Sequence, residues 1–204
     1  MYDCMIKNGT IVSAEGMFDA DIAVKNGKIA AIGKKLCGNA KHNIDASGKL
    51  IFPGAVDAHF HIGEYHADFE DMRTSTMAAA AGGVTTAVDM PLNLYTPSVL
   101  TKEAVQLKDR LLDQEAYIDY VMWGGLTPDS ISNLHEMKQA GAISFKCFMS
   151  GGGNDFAAPS IGEIRHAMKI IASFHGLAGF HCEDASVIDF ERRKVRSLKL
   201  DGRH

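Results

Sequence analysis

The sequence predicts an α/β protein in which a parallel β/α array follows a small β-module. Three observations carry that expectation. Residues 1–52 read as short strands punctuated by Asn-Gly and Ser-Gly pairs. From Pro53 the rhythm changes to apolar strand, loop, helix and strand again. The polar residues of those later strands gather at their C-terminal ends, where parallel α/β architectures place their functional groups.

In the first segment, residues 6–12 enclose Asn8-Gly9 and residues 21–33 enclose Asn26-Gly27. Asn-Gly flanked by alternating apolar residues is the strongest short hairpin signal, so both pairs are expected to be turns. A third unit, residues 44–51, contains Ser47-Gly48 and closes the module. Nothing in this segment combines side chains into evident chemistry.

Beyond it, strand-like runs fall at residues 55–60, 84–90, 117–123, 143–149 and 177–181. Helix-like segments at 67–81, 101–114, 130–140 and 161–174 separate them, and a basic helix follows the fifth strand. MAAAAGG, residues 77–83, reads as a helix end with a glycine cap. Ser160 ahead of Ile161, with Glu163 following, reads as a helix start. Strands each spaced by a helix imply a parallel sheet with right-handed crossovers. Five of them fit either an open doubly wound sheet or part of an eight-stranded barrel. The missing GxGxxG after the first strand counts against a dinucleotide site, and a closed barrel needs three more strands.

Composition sets the outer bounds. The 204 residues suit one large domain or a domain plus a small one, and 46% apolar with 23% charged residues is ordinary for a globular chain. A net charge of −4 gives no support to a nucleic-acid partner. No apolar run approaches the roughly 18 residues of a membrane span, and MYDCMIKNGT does not read as a signal peptide. Cys4, Cys37, Cys147 and Cys182 lie far apart without a CxxC pair. That usage suits free, mostly buried thiols in a reducing cytoplasm.

The chemistry starts at VDAHFHIGE, residues 56–64. Residues two apart in a strand face the same way, so His59 and His61 project two imidazoles together, with Phe60 turned to the other side. Asp89 stands near the end of the second strand, Lys146 within the fourth, and His181 and Glu183 at the end of the fifth. A lysine between Phe145 and Cys147 in a central strand is buried, and a lone buried ammonium is strongly disfavoured. Two resolutions stay open. Lys146 pairs with Asp89 or Glu183, or its neutral amine adds carbon dioxide to become a carbamate able to bridge two divalent ions. An isolated HxH is a weak metal signal. Two imidazoles, a lysine and a third histidine on successive strand ends form a constellation suited to zinc or a similar ion.

PGAVDAHFHIGE, AAAAGGVTTAVDMPLN, GAISFKCFMS and GFHCED, in that order after an NG-rich β-module, resemble the amidohydrolase superfamily. Within it the likeness is to the cyclic amidases (allantoinase, dihydropyrimidinase, hydantoinase), and DMPLN with FKCF resembles the allantoinase branch most. Dihydropyrimidinases and hydantoinases carry a tyrosine a few residues after the lysine, where this chain has Ser150-Gly151-Gly152-Gly153. Dihydroorotases place an arginine just after HxH, where this chain has Ile62-Gly63-Glu64.

The resemblance implies a small β-sandwich module over residues 1–52 and, over 53–204, about five βα units of a distorted (β/α)8, TIM-like metal-dependent hydrolase barrel. It implies two divalent metal ions, zinc foremost: His59 and His61 on one, His181 on the other, and carboxylated Lys146 bridging both. The implied reaction is hydrolysis of a cyclic amide by a binuclear-metal hydroxide mechanism. Opening of allantoin to allantoate, in purine catabolism, is the first expectation, and a dihydropyrimidinase or hydantoinase activity the second. The implied partner is a small cyclic ureide, with no nucleic acid and no membrane, in a cytoplasmic enzyme that forms homo-oligomers at full length.

Asn93 is expected either to contact substrate or to stabilise a turn, and Glu183 and Asp184 to orient His181 or to be solvated loop acids. Ser150 and Gly151 to Gly153 are expected to form a loop whose glycines either let backbone approach a substrate or simply make it flexible. His66, His135, His166 and His175 stand in helix or loop contexts and His204 at the terminus, away from the ligand set. Cys147 and Cys182 are expected to face away from the metals. The family pattern also needs a histidine and a proton-shuttling aspartate from the sixth and eighth strands, and these lie beyond the chain end. The expectation is therefore an N-terminal portion of an allantoinase-like enzyme, inactive by itself or completed by another polypeptide.

Overall fold

The computed structural model describes residues 1–62, 70–92, 97–152 and 155–198. The chain divides into two units, Met1–Gly54 and Ala55–His204. Asn93, Gly153, His66 and His204 lie outside the described residues.

The first unit is a mixed five-stranded sheet of β1 (Tyr2–Ser13), β2 (Gly16–Lys25), β3 (Lys28–Gly33), β4 (Ala40–Asp45) and β5 (Leu50–Ile51). Its order is β3-β2-β1-β4, with β5 also paired to β1. Asn26 and Gly27 turn β2 into β3 with φ of 53° and 71°, the left-handed pair that a two-residue hairpin requires. Asn8-Gly9 is not the expected hairpin. It is a bulge inside the continuous strand β1, where the register with β2 shifts between Ile6 and Gly9. The cause is long-range. β4 and β5 run parallel to β1 on one edge, and the Ala46–Lys49 detour between them meets the bulge: the Ala46 amide donates to Lys7 O at 2.8 Å and the Thr10 amide to Lys49 O at 3.1 Å. Buried Asp21 secures the same place, accepting from the amides of Asn8 and Leu36 at 2.9 Å each.

In the second unit, β6 (Ala55–Phe60), β7 (Val84–Asp89), β8 (Asp119–Gly125), β9 (Ser144–Phe148) and β10 (Ala178–His181) pair in parallel in strictly sequential order. A doubly wound sheet reverses its strand order at a switch point. This sheet has no reversal, so it is the curled half of a barrel.

The helices are α1 (Met72–Ala81), α2 (Lys102–Glu115), α3 (Leu134–Gln139, after a 3-10 turn at Pro128–Asn133), α4 (Ile161–Ser173) and α5 (Ala185–Ser197). α1 starts where the Asp71 carboxylate accepts from the Thr74 amide, and it ends at Gly82 and left-handed Gly83. Ser160 and Glu163 form the expected capping box of α4.

The core lies between one face of the sheet and helices α1 to α4. Ala87, Met122, Phe145 and Cys147 pack there with Val105, Leu112, Leu134, Met137, Ala167 and Ile171. Strand alternation sends Val88, Trp123, Gly125, Lys146 and Phe148 to the opposite face. Cys147 is the one fully buried thiol. Cys4 is half-buried and Cys37 and Cys182 are exposed, so the expectation of mostly buried thiols does not hold. No helix among the described residues is long and apolar enough to cross a membrane.

Candidate metal centre

His59 near the end of β6 and His61 just beyond it have ring centroids 5.4 Å apart and planes inclined by 48°. Phe60 between them packs against the helix-side core, as alternation requires. Both imidazoles are held below the usual histidine range. For His59 the causes are burial first, then the Lys146 ammonium and His61. For His61 burial again leads, opposed by the Asp89 carboxylate and reinforced by Lys108 and Lys146. A neutral imidazole is the metal-binding form.

Lys146 stands in the middle of β9 with only 7% of its surface exposed. Its register partners are Gly125 on β8 and Gly179 on β10, so neither neighbour puts a side chain beside it. Among the described residues no carboxylate lies within ion-pair distance of its Nζ, which stands over the Phe148 ring, 5.1 Å from the centroid. Burial lowers the Lys146 pKa.

The pairing of Lys146 with Asp89 or Glu183 is thereby corrected, because both acids are engaged elsewhere. Asp89 points to the helix side, where its Oδ2 meets Lys108 Nζ at 2.6 Å. Glu183 accepts from the Ser150 hydroxyl and lies 3.2 Å from His181 Nε2. Those two contacts, Ser150 first, hold its carboxyl below the ordinary range.

His181 ends β10 beside Phe148, with the two rings stacked at 5.5 Å, and its side chain is 47% exposed. Gly151 adopts φ +84° in the loop after β9, a conformation suited to glycine. Asp184 does not orient His181: its Oδ1 caps α5, accepting from the amides of Ser186 and Val187. Cys147 faces the helix-side core as expected, whereas Cys182 is exposed after β10.

Two groups therefore form at the C-terminal ends of the strands. One is the His59–His61 pair. The other runs from Lys146 through Phe148 and His181 to Glu183 and Ser150. Among the described residues no three His, Cys, Asp or Glu side chains converge at metal-ligand spacing. The donor chemistry nevertheless fits divalent ions: two imidazoles held below the usual histidine range and a buried amine with no carboxylate in ion-pair distance among the described residues.

Residues missed by the sequence reading are Lys108, which occupies the buried stripe Val105-Lys108-Leu112 of α2, and Phe148, which touches both Lys146 and His181. The i, i+3, i+7 spacing of Lys108 with two apolar residues was the available signal.

Comparison with known proteins places the chain in a family. The dihydro-orotase-like family model matches residues 48–194. The chain belongs to this family of amidohydrolases. Residues 1–55 match the model of the urease alpha-subunit N-terminal domain. The allantoinase of Bacillus velezensis is 38% identical over 99% of this chain and 45% of its own length, and that of Escherichia coli 39% identical over 96% and 44%. Among solved structures, L-hydantoinase (dihydropyrimidinase) from Arthrobacter aurescens superposes with a TM-score of 0.90 at 32% identity, covering 97% of this chain and 44% of that one. D-hydantoinase from Thermus sp. gives 0.82 at 28% identity, covering 96% and 43%. The chain thus spans less than half the length of the relatives it matches.

Proposed function

We propose that this amidohydrolase chain contributes the first half of a binuclear metal site that hydrolyses a cyclic amide, with allantoin as the substrate and allantoate as the product. The observation that carries the reading is Lys146: a strand-centre lysine, buried, depressed in pKa and without a carboxylate partner among the described residues. Burial that disfavours the ammonium favours the free amine, the form that adds carbon dioxide. As a carbamate, Lys146 would offer two oxygens, with His59 and His61 on one side and His181 on the other. The chemistry a pair of divalent ions supplies in such a site is Lewis acidity toward a carbonyl oxygen and acidification of water.

The chain's own residues prepare that site. Partial desolvation, with Lys146 nearby, favours the neutral, lone-pair-donating forms of His59 and His61. Glu183 holds His181 by one ring nitrogen, and Ser150 steadies the carboxylate. Gly125 and Gly179 contribute no side chain of their own beside Lys146, and Leu100 and Phe156 pack over the first and Trp123 over the second.

Relatives named allantoinase, together with Ser150-Gly151-Gly152 where hydantoinases carry tyrosine, support allantoin. The solved hydantoinases support the second substrate reading, a dihydropyrimidine or hydantoin. The histidine and aspartate that the resemblance requires from later strands have no counterpart in these 204 residues, so turnover is proposed for the whole enzyme.

Metal analysis of the purified chain beside a Lys146→Ala variant tests the ligand set. Loss of metal in the variant is expected, and unchanged content would overturn the bridging role. Hydrolysis of allantoin measured against dihydrouracil in the whole enzyme separates the two substrates.

A further inference from the structure

Asp89 and Lys108 form an ion pair almost wholly withdrawn from water, with side chains 0% and 2% exposed. Desolvating two charges is costly, and apolar residues of similar volume commonly replace such a pair without loss of stability. Stability alone therefore does not account for it. The remaining bonds of the two side chains are more informative. Asp89 Oδ1 accepts from the Ile62 amide at 3.0 Å, immediately after His61. Lys108 Nζ donates to Met90 O at 3.1 Å, and the Met90 amide donates to Phe60 O at 2.8 Å, between the two histidines. Ile62 and Met90 are themselves buried, at 0% and 2%. Lys108 thus ties α2 to Asp89 and Met90 at the end of β7, and those two residues bond the backbone of Ile62 and Phe60 at the end of β6.

We infer that Asp89, its charge balanced from the helix side by Lys108, is a positioning residue that fixes the end of β6 and thereby the paired orientation of His59 and His61. Lys108 pins Asp89 and the Met90 carbonyl from the helix side, and Asp89 and Met90 grip the backbone on either side of His61. The two charges also act on His61 with opposite signs, so removing both together isolates the bonds to the backbone of residues 60–62. The consequence for a metal rests on reading His59 and His61 as ligands. Partners that orient metal-binding histidines typically change metal affinity about 10–100-fold when removed.

The test compares two double variants of the full chain. D89N/K108M removes both charges but keeps an oxygen able to accept from the Ile62 amide; D89L/K108M removes that oxygen as well. Zinc affinity is measured by competition with a chromophoric chelator, and the ring signals of His59 and His61 are recorded by NMR without metal. D89N/K108M is expected to bind zinc within about threefold of the parent and to keep its ring signals. D89L/K108M is expected to melt near the same temperature yet bind at least about tenfold more weakly, with displaced ring signals. Parent-like affinity and ring signals in D89L/K108M, or equal losses in both variants, would overturn the inference. Should the parent bind no zinc, the ligand reading fails separately; displaced ring signals in D89L/K108M alone then support positioning, and unmoved ones refute it. If D89L/K108M does not fold, D89S/K108M, whose shorter side chain cannot reach Ile62, replaces it under the same criteria.

Discussion

Gly125, the β8 neighbour of Lys146, permits a prediction worked from distances. A Cβ at this position would stand 2.4 Å from Leu100 Cδ2 and 2.7 and 2.8 Å from two carbons of the Phe156 ring. Backbone retreat is blocked, because the Gly125 amide donates to Val99 O at 2.6 Å and its carbonyl accepts from the Ser130 hydroxyl at 2.8 Å. Leu100 has rotamers with which to yield, but Phe156 is fully buried and set edge-on against Phe148 at 5.3 Å. Overpacking of this kind costs about 1–3 kcal/mol, and the lower chain entropy of alanine returns about 0.4–1 kcal/mol. The expected net loss in Gly125→Ala is therefore about 1–2 kcal/mol, or a thermal midpoint lower by roughly 2–8 °C.

Gly162 in α4 is the control. Its nearest contact would be Ser160 Oγ at 3.9 Å, so Gly162→Ala should stabilise by about 0.5–1 kcal/mol. Urea unfolding followed by fluorescence of Trp123, the sole tryptophan, reports on the β/α unit that holds both sites. Phe156→Leu removes the obstructing ring, so the double variant should show coupling of at least about 0.5 kcal/mol. Stability of Gly125→Ala matching that of Gly162→Ala, or strict additivity with Phe156→Leu, would refute the steric argument.

Lys146→Met should stabilise the chelator-treated chain by about 1–2 kcal/mol, since it removes a buried amine that has no carboxylate partner among the described residues. With zinc in excess the sign should reverse, and melts with and without chelator check both halves. Hydrogen bonds from Ser160 hold the Glu163 carboxyl below its ordinary range. That contribution is full above the unfolded pKa of about 4.3 and is lost as pH falls through the lower folded value. Glu163→Gln should therefore flatten the acid side of a urea-midpoint profile while leaving the neutral side nearly level. Asn26→Ala forces alanine into the left-handed region at φ 53° and should cost about 1 kcal/mol, whereas Asn26→Gly should be close to neutral. Hydrogen exchange of the β2 and β3 amides reads that difference.

What could be seen in the sequence followed from local periodicity. Two-residue alternation aligned His59 with His61, apolar runs located five strands, and Ser160 with Glu163 marked a helix start. What could not be seen depended on distant partners. Asn8-Gly9 carries the composition of a hairpin turn, yet β4 and β5 on the flank of β1 make it a bulge. Lys108 has the composition of a solvated helix face, and only the position of Asp89 in the fold explains its burial. For Lys146, burial was legible from Phe145 and Cys147, but the commitment of Asp89 and Glu183 to other partners was not. Asp184 likewise reads as a histidine-orienting acid until α5 is seen to start on it.

The unbroken order of the parallel strands bears on how the chain acquires its structure. Each strand is laid against the one synthesised just before it, with paired residues such as Ala55 and Val84, Thr86 and Asp119, Trp123 and Ser144, and Phe145 and Ala178 separated by 21 to 33 positions. Closing entropy rises only with the logarithm of loop length, so these steps differ by about half a kcal/mol or less. No pairing must wait for a distant segment to emerge. The β/α unit can therefore grow vectorially as translation proceeds, each addition providing the template for the next.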